Sequence, residues 1–428
     1  MSCSLCSSSA LAVFCLALNA AAATLCVHPG ATGACFSSIQ AAVTAAAPGD
    51  TVKVGSGTYR ESVTISKSLS LVADDAVVIN AAGLANGISV DGSSAGLSGV
   101  VVTGFTVRNA NFEGILVLNA ADVTLAYNNV RHNDLSLNIT DATCPGLPAW
   151  ETAEGEDCGE GIHLVGVVSS LVAHNIIEQN SGGILVTDET APAHDNLITE
   201  NTVRDNPFDC GITLAGHPQA VTFGTPLGVF NNVVDGNRAI HNGYQVPGAG
   251  AGVGIFAFIP GANMSGNVVS NNVLLNNGIP GVTIHLHAPD MNFDNTKIVH
   301  NVIRGNGPDS DPDAPTSRTA GINIGGHSVM NGLIIAKNEI RGEQTDIVIN
   351  LPSPVSLHLN DLLGSGFGVQ NLGTGTVNAT ANWWGCDDGP GTGGCSDVGP
   401  GVLYNPWLTA PVNGDEHRGD DHDDDNDR

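Results

Sequence analysis

Leu125-Ala-Tyr-Asn128-Asn-Val130-Arg-His-Asn133 sets a phrase that decides the fold: an apolar residue, two variable ones, Asn, one variable, an apolar residue, two variable ones, then Asn again. It returns as Val172 to Asn180, Ile198 to Asn206, Val229 to Asn237, Val269 to Asn277 and Ile298 to Asn306, and a degenerate copy runs from Ile335 to Glu343. A second phrase, Gly-apolar-variable-apolar, follows most copies: Gly114-Ile-Leu-Val117, Gly161-Ile-His-Leu164, Gly183-Ile-Leu-Val186, Gly211-Ile-Thr-Leu214, Gly252-Val-Gly-Ile255, Gly281-Val-Thr-Ile284 and Gly321-Ile-Asn-Ile324. Alternation with period two marks short strands with one buried face. So short a strand buries that face only when another coil stacks on it, so the repeats predict a solenoid. The spacing of the repeated Asn runs from 26 residues (Asn175 to Asn201) to 47 (Asn128 to Asn175), which places insertions in one loop while the strands keep register.

The repeated Asn has two physical uses. It tolerates the left-handed backbone of a tight corner. Identical carboxamides stacked at the inter-strand distance of about 4.8 Å can also hydrogen-bond in a ladder. Asn128, Asn175, Asn201, Asn232, Asn272, Asn301 and Asn338 are expected to form it. Open coil ends need covers. Phe36 to Ala47 has helical spacing of apolar residues (Ile39, Val43, Ala46) and is stopped by Pro48-Gly49-Asp50, so a helix is predicted at the N-terminal end. Asn382-Trp383-Trp384-Gly385 and Pro406-Trp407-Leu408 supply bulk for the other end.

Composition agrees with an all-β solenoid. Across 428 residues Gly numbers 54 and aromatics make up only 4%, which disfavours long helices around a large aromatic core. Leu11 to Leu18 is an apolar run followed by the small residues Ala20 to Ala23, read as a cleaved export signal over residues 1–23 despite the lack of any Lys or Arg before Lys53. No later apolar run is long enough for a membrane span. A secreted or periplasmic monomer is expected, with the β-helix over 24–378, a C-terminal cap over 379–412 and a disordered acidic tail over 413–428.

Export leaves seven cysteines, and short separations suggest Cys26 with Cys35, Cys144 with Cys158 and Cys386 with Cys395. Cys158 with Cys210 is the alternative. No C-x-x-C spacing points to thiolate zinc. The formal charge is -28, of which the tail Asp415 to Arg428 carries -6, so nucleic acid is excluded as a partner. The same field repels an acidic polysaccharide unless a divalent cation bridges it.

Ser38-Ile-Gln-Ala-Ala-Val43, Pro48-Gly-Asp-Thr-Val52, Gly57-Thr-Tyr-Arg-Glu-Ser-Val-Thr-Ile65 and Ser68-Leu-Ser-Leu71 resemble the opening of right-handed parallel β-helix proteins of the pectin-lyase-like superfamily. The Asn-rich coils and the Asn382-Trp-Trp-Gly385 ending are similar to bacterial β-helix repeat proteins, including those grouped with the periplasmic copper-binding maturation factor of nitrous oxide reductase. The resemblance implies a right-handed coil and a polysaccharide-active or metal-binding role. It does not choose a reaction, because the fold hosts lyases, hydrolases, esterases and epimerases. The basic residue of related lyases, the Asp-Asp with Gly-His-Gly of polygalacturonases and the Asp-Pro-His-Asp of mannuronan epimerases have no counterpart here.

Counting outward from each strand-initial Gly, positions one and three face the core, and positions two, four and six are expected to face solvent. Position six reads Glu189, His217, Phe258, His287 and His327, position four adds His285, and position two adds His163. On this face Glu151, Glu154, Glu156, Asp157 and Glu160 crowd the stretch before Gly161, Asp188 precedes Glu189, Asp209 precedes Cys210, and Asp290 follows His287. Imidazole beside carboxylate suits general acid-base chemistry near neutral pH or ligation of a divalent ion.

The expectation is a carbohydrate-active cleft for elimination, epimerisation or hydrolysis, with His217, His287 or His327 as base and Asp188, Glu189 or Asp209 as acid or cation ligand. His163, His285, Phe258, Glu160 and Asp290 would contact the glycan. A cation, calcium or alternatively copper or zinc, would sit on Glu189, His217 and His287. Metal-binding or glycan-binding solenoids without turnover are the competing classes. His132, His174 and His300 fall within the Asn phrase and read as turn residues.

Overall fold

A computed structural model describes residues 21–31, 33–94, 96–133, 159–217, 227–246 and 248–412. Residues 1–20, which hold most of the expected export signal, residues 413–428, Cys144, Cys158, Glu151, Glu154, Glu156 and Asp157 lie outside the described residues. The described strands pair in parallel, coil on coil, into a 23-stranded sheet and a 12-stranded sheet flanked by two small two-stranded ones. Inward columns hold the coils together. On the larger sheet Val130, Ile177, Val203, Ala239, Leu274, Ile303 and Ile340 stack in register, all buried. On the smaller sheet the column is Ile115, Ile162, Ile184, Ile212, Val253, Val282 and Ile322. Each Val, Leu or Ile of these columns contributes about 1.5 to 3 kcal/mol by leaving water, Ala239 less, and none can do so before its neighbouring coil is in place.

The Asn ladder is present and longer than the sequence suggested. It runs Asn128, Asn175, Asn201, Asn237, Asn272, Asn301, Asn338, Asn360, Asn382, each Nδ2 donating to the next Oδ1 at 2.9 to 3.1 Å. Asn237, not Asn232, occupies the rung after Asn201. Asn232 belongs to a separate short ladder with Asn196 and Asn267. Val229 to Asn242 repeats its apolar-x-x-Asn unit every five residues, so the pattern fits two frames, and strand pairing (Ile198 opposite Val234) selects the later one.

The left-handed corner also differs from expectation. The residue before each ladder Asn takes it: Tyr127, His174, Glu200, Asn271, His300, Lys337, Leu359 and Ala381 have φ between 53° and 59°. The ladder Asn instead points inward, where its carboxamide satisfies backbone groups of adjoining coils, as when Asn237 Nδ2 donates to Ile198 O at 2.9 Å. His132, His174 and His300 all occupy such corners, in keeping with turn roles.

A third ladder, Asn133, Asn180, Asn206, Asn242, Asn277 and Asn306, ends on Glu343, whose Oε1 accepts from Asn306 Nδ2 at 3.2 Å. Burial pushes the Glu343 carboxyl up to about 7 from 4.5, although the Asn306 amides favour its charged form. The unfolded chain therefore loses this proton first, and stability falls as pH rises from about 4.5 to about 7. Glu343→Gln keeps the accepting oxygen. It is expected to raise stability by about 2 to 3 kcal/mol above pH ~7 and to change little near pH ~4, as read by urea denaturation at both pH values.

The predicted N-terminal helix spans Ile39–Ala45, shorter than Phe36 to Ala47 because Ser38 caps it and the chain turns extended at Ala46. Glu61 accepts from the Ile39 and Gln40 amides and the Ser38 hydroxyl at 2.8 to 2.9 Å, placing a carboxylate at the helix N-terminus. Ile39, Ala42 and Val43 bury against the first coil. At the other end Trp384 is fully buried and packs edge-on to Tyr404. Cys26–Cys35 and Cys386–Cys395 are disulfides, which fits an oxidising compartment. Cys210 is a buried free thiol, so it does not pair with Cys158. Among the described residues no helix is long and apolar enough to cross a membrane.

Candidate active site

The 12-stranded sheet turns one face outward, and its rungs set the site. Strands Ile184–Thr187, Ile212–Gly216, Val253–Ala257, Val282–Leu286 and Ala320–Gly326 lie side by side in exact sequence of coils. Position six falls at the corner just after each strand, so Glu189, His217, Phe258, His287 and His327 come into one column. Contacts join every step of it. His217 Nδ1 lies 2.9 Å from Glu189 Oε1, the His217 and Phe258 rings are 6.0 Å apart, and Phe258 stacks on His287 at 4.8 Å with an interplanar angle of 8°. Asp313 then links His287 (3.1 Å) to His327 (3.1 Å).

Two of these five groups do not face open solvent as expected: His217 is 3% exposed and Glu189 2%, whereas His287 is half-buried and Phe258 and His327 are exposed. Side chains on this face cover one another, and the Asp309–Asp313 segment lies against His285 and His287. Burial alone would raise the Glu189 carboxyl, but the hydrogen bond and charge of His217 outweigh it and hold the carboxyl below the usual range. An ionised Glu189 accepts from Nδ1–H and makes Nε2 the basic nitrogen of His217.

A cleft of about 350 Å³ opens across the three central rungs. Its floor is Cys210, Thr213, Ala215 and Ile279, with Phe256 and Phe258 as aromatic surface, and its polar groups are His217, Asp209, His285, His287 and Asp311. Gly254 leaves room for the Phe256 ring, which a methyl there would push aside. The size and the few convergent polar groups match a small-ligand or sugar-binding cleft.

Other expected site residues lie elsewhere. His163 is fully buried, bonded to Glu113 Oε1 and Thr187 Oγ1 at 2.9 Å each, and burial lowers it to about 4, so it is a neutral spacer out of reach of a glycan. Glu160 is buried with its carboxylate against Gly182, where any side chain would collide with it. Asp188 is fully buried, and burial pushes it up to about 6. Its oxygens accept the amides of His217 (2.9 Å), Leu227 (3.0 Å) and Gly228, which makes it a clasp between coils and not an acid facing substrate.

Asp290 sits at a left-handed corner and shares a separate hollow with His327. Glu189, His217 and His287 do not converge as a ligand set because the Phe258 rung lies between the two histidines. Sequence reasoning missed Glu113, Phe256, Asp309, Asp311 and Asp313. The alternating Asp309-Ser-Asp311-Pro-Asp313 was the signal for the last three.

Residues 77–340 match the family model described as right handed beta helix region. The chain belongs to this right-handed β-helix family. No curated protein matches it. Among solved structures, this β-helix is similar to the GH136 lacto-N-biosidase from Eubacterium ramulus, with a TM-score of 0.51 and 10% identity over 89% of this chain and 68% of that one. It is also similar to the AlgE6 mannuronan C-5 epimerase A-module of Azotobacter vinelandii (TM-score 0.49, 15% identity, 87% of this chain and 94% of that one). Pectate lyase Pel9A gives 0.42 and 16% over 74% of this chain and 80% of that one. At these identities the likeness is one of fold.

Proposed function

We propose that this β-helix is a carbohydrate-active enzyme that seats a polysaccharide across the outer face of the 12-stranded sheet and uses His217 as general base. The observation that carries the reading is His217 on the wall of the cleft, backed by Glu189 at 2.9 Å. Glu189 is the positioning residue: it fixes the imidazole and stabilises its cationic form. Phe258, stacked on His287 and partly exposed, offers an apolar platform for a sugar ring. The glycan-directed names of the epimerase and the biosidase accord with this reading on fold-level analogy alone.

In the elimination variant, His217 Nε2 takes the proton from the carbon bearing a uronate carboxylate. The electron pair becomes a C=C bond as the glycosidic C–O bond breaks, and the departing oxygen takes a proton from Asp209 or water. Epimerisation returns a proton to the opposite face of the same carbon instead.

The test is a panel of acidic and neutral polysaccharides, followed by ultraviolet absorbance of unsaturated product, by new reducing ends and by deuterium incorporation. One member is expected to turn over. His217→Gln should reduce that rate by about 10²- to 10⁴-fold while glycan binding persists. A panel left intact by the wild-type protein, with glycan binding indifferent to His217→Gln and Phe258→Ala, defeats the proposal. Binding that depends on Phe258 without turnover identifies a glycan-binding solenoid.

A further inference from the structure

We infer that His285, His287 and Asp311 form a binding site for a divalent transition-metal ion of the zinc class, beside the His217 dyad on the same face. One ligand-capable atom from each residue lies within 4.8 Å of the others. His285 Nδ1 is 3.7 Å from Asp311 Oδ2, and His287 Nδ1, which lies 3.1 Å from Asp313 Oδ2 and would exchange that contact for the ion, is 3.8 Å from Asp311 Oδ1. Two ligands on one tetrahedral ion at ordinary bond lengths stand about 3.3 Å apart, so each histidine needs about half an ångström to reach ligand spacing from Asp311, and the widest pair of the set, within 4.8 Å, closes through side-chain rotation.

The second observation concerns His285 itself. Its side chain is 6% exposed, and its Nε2 is fixed by Asp309 Oδ2 at 2.8 Å. Asp309 is buried and held in turn by Asn323 Nδ2 at 3.0 Å. With Nε2–H donating to Asp309 Oδ2, the lone pair of His285 is on Nδ1, and Asp311 Oδ2 lies 3.7 Å from it, too far for a hydrogen bond. A buried carboxylate behind an imidazole whose other nitrogen faces a second ligand is the arrangement that orients histidines on zinc.

The remaining ligands are held as well. Asp311 is set by its own amide on Asp309 Oδ1 (3.0 Å) and by accepting the Asp313 amide (2.8 Å). The His287 ring is sandwiched between Phe258 and the edge of His285.

Ligand chemistry chooses the ion. Two imidazoles and one carboxylate favour zinc, copper or nickel, whereas calcium and magnesium require oxygen-rich sets. Three protein ligands leave at least one position, and all three residues line the cleft. The cleft lining contains no Lys or Arg among the described residues, so the ion would bring its positive charge. Resting on the proposed glycan-processing role, this names the substrate class: a polysaccharide bearing carboxylates, one of which meets the ion.

Equilibrium dialysis and calorimetry of the full chain with zinc and with calcium test the site, with cobalt(II) absorbance reporting ligand geometry. One zinc per chain is expected, with calcium binding far weaker. Asp311→Asn and His285→Ala should each weaken zinc by about 100-fold or more, and Asp309→Asn by about 10- to 100-fold through loss of orientation. Replacing the tail residues His417 and His422 by Ala should leave the tight site untouched. Asp311 is on a partly exposed segment, so its variant remains informative if His285→Ala does not fold.

Zinc binding unchanged in Asp311→Asn, abolished by the tail substitutions, or matched by calcium overturns the inference. Zinc bound through Asp311 with no glycan turned over leaves the metal site standing and removes only the substrate class. His217-dependent turnover without zinc binding does the reverse.

Discussion

Glu189→Gln is expected to lower turnover by about 10²- to 10³-fold while substrate affinity changes little, because the side chain touches His217 and not the sugar. Gln preserves shape and can still accept one bond. It loses the charge that holds His217 with Nδ1 protonated and stabilises the imidazolium formed when a proton is taken. The pH profile separates this role from a merely structural one. Removing a neighbouring negative charge makes imidazole easier to deprotonate, so the acidic limb of kcat/KM should move to lower pH in the variant. A variant within threefold of wild type and with an unmoved limb would mean that Glu189 only packs against His217.

The largest stability effect is expected at the centre of the Asn ladder. Asn237 accepts the Asn201 amide (2.9 Å) and side chain (3.0 Å) and donates to Ile198 O (2.9 Å) and Asn272 Oδ1 (3.1 Å), all in a buried column. Asn237→Ala leaves several of these groups unsatisfied at about 1 to 3 kcal/mol each, so a loss of about 3 to 5 kcal/mol is expected. The same change at Asn271, an exposed left-handed corner whose Nδ2 donates to Asp235 Oδ1 at 2.6 Å, should cost only about 1 to 2 kcal/mol. Denaturant midpoints of the two variants check the contrast. Equal midpoints would show that the carboxamides fill space without carrying the coil corners.

The coil was legible because its signals are local and repeated. An apolar residue and an Asn at fixed offsets impose both a strand and a corner, and copies such as Val172 to Asn180 and Ile298 to Asn306 align without ambiguity. Register failed only where a five-residue period let Asn232 stand in for Asn237. The position-six column was legible for a related reason: counting from a strand-initial Gly fixes which way a side chain leaves the sheet.

What that count cannot supply is the matter lying over the face. Glu113 reaches His163 from a neighbouring coil, and the Asp309–Asp313 segment folds back onto His285 and His287 from a loop of unrelated length. Exposure was therefore misjudged for Glu189, His217, His163 and His285, although the direction in which they leave the sheet was right. Loops that differ from coil to coil leave no periodic trace, so the three aspartates were visible only as an alternating motif with no assigned position.

The most direct test of the account is the position of a bound oligosaccharide in a crystal of the His217→Gln variant soaked with the acidic glycan that the wild-type protein turns over best. The account predicts sugar density over the Ile212–Gly216, Val253–Ala257 and Val282–Leu286 strands, with a ring against Phe258 and the reacting carbon facing residue 217. Sugar bound on the 23-stranded sheet, with the cleft filled only by water, would contradict it.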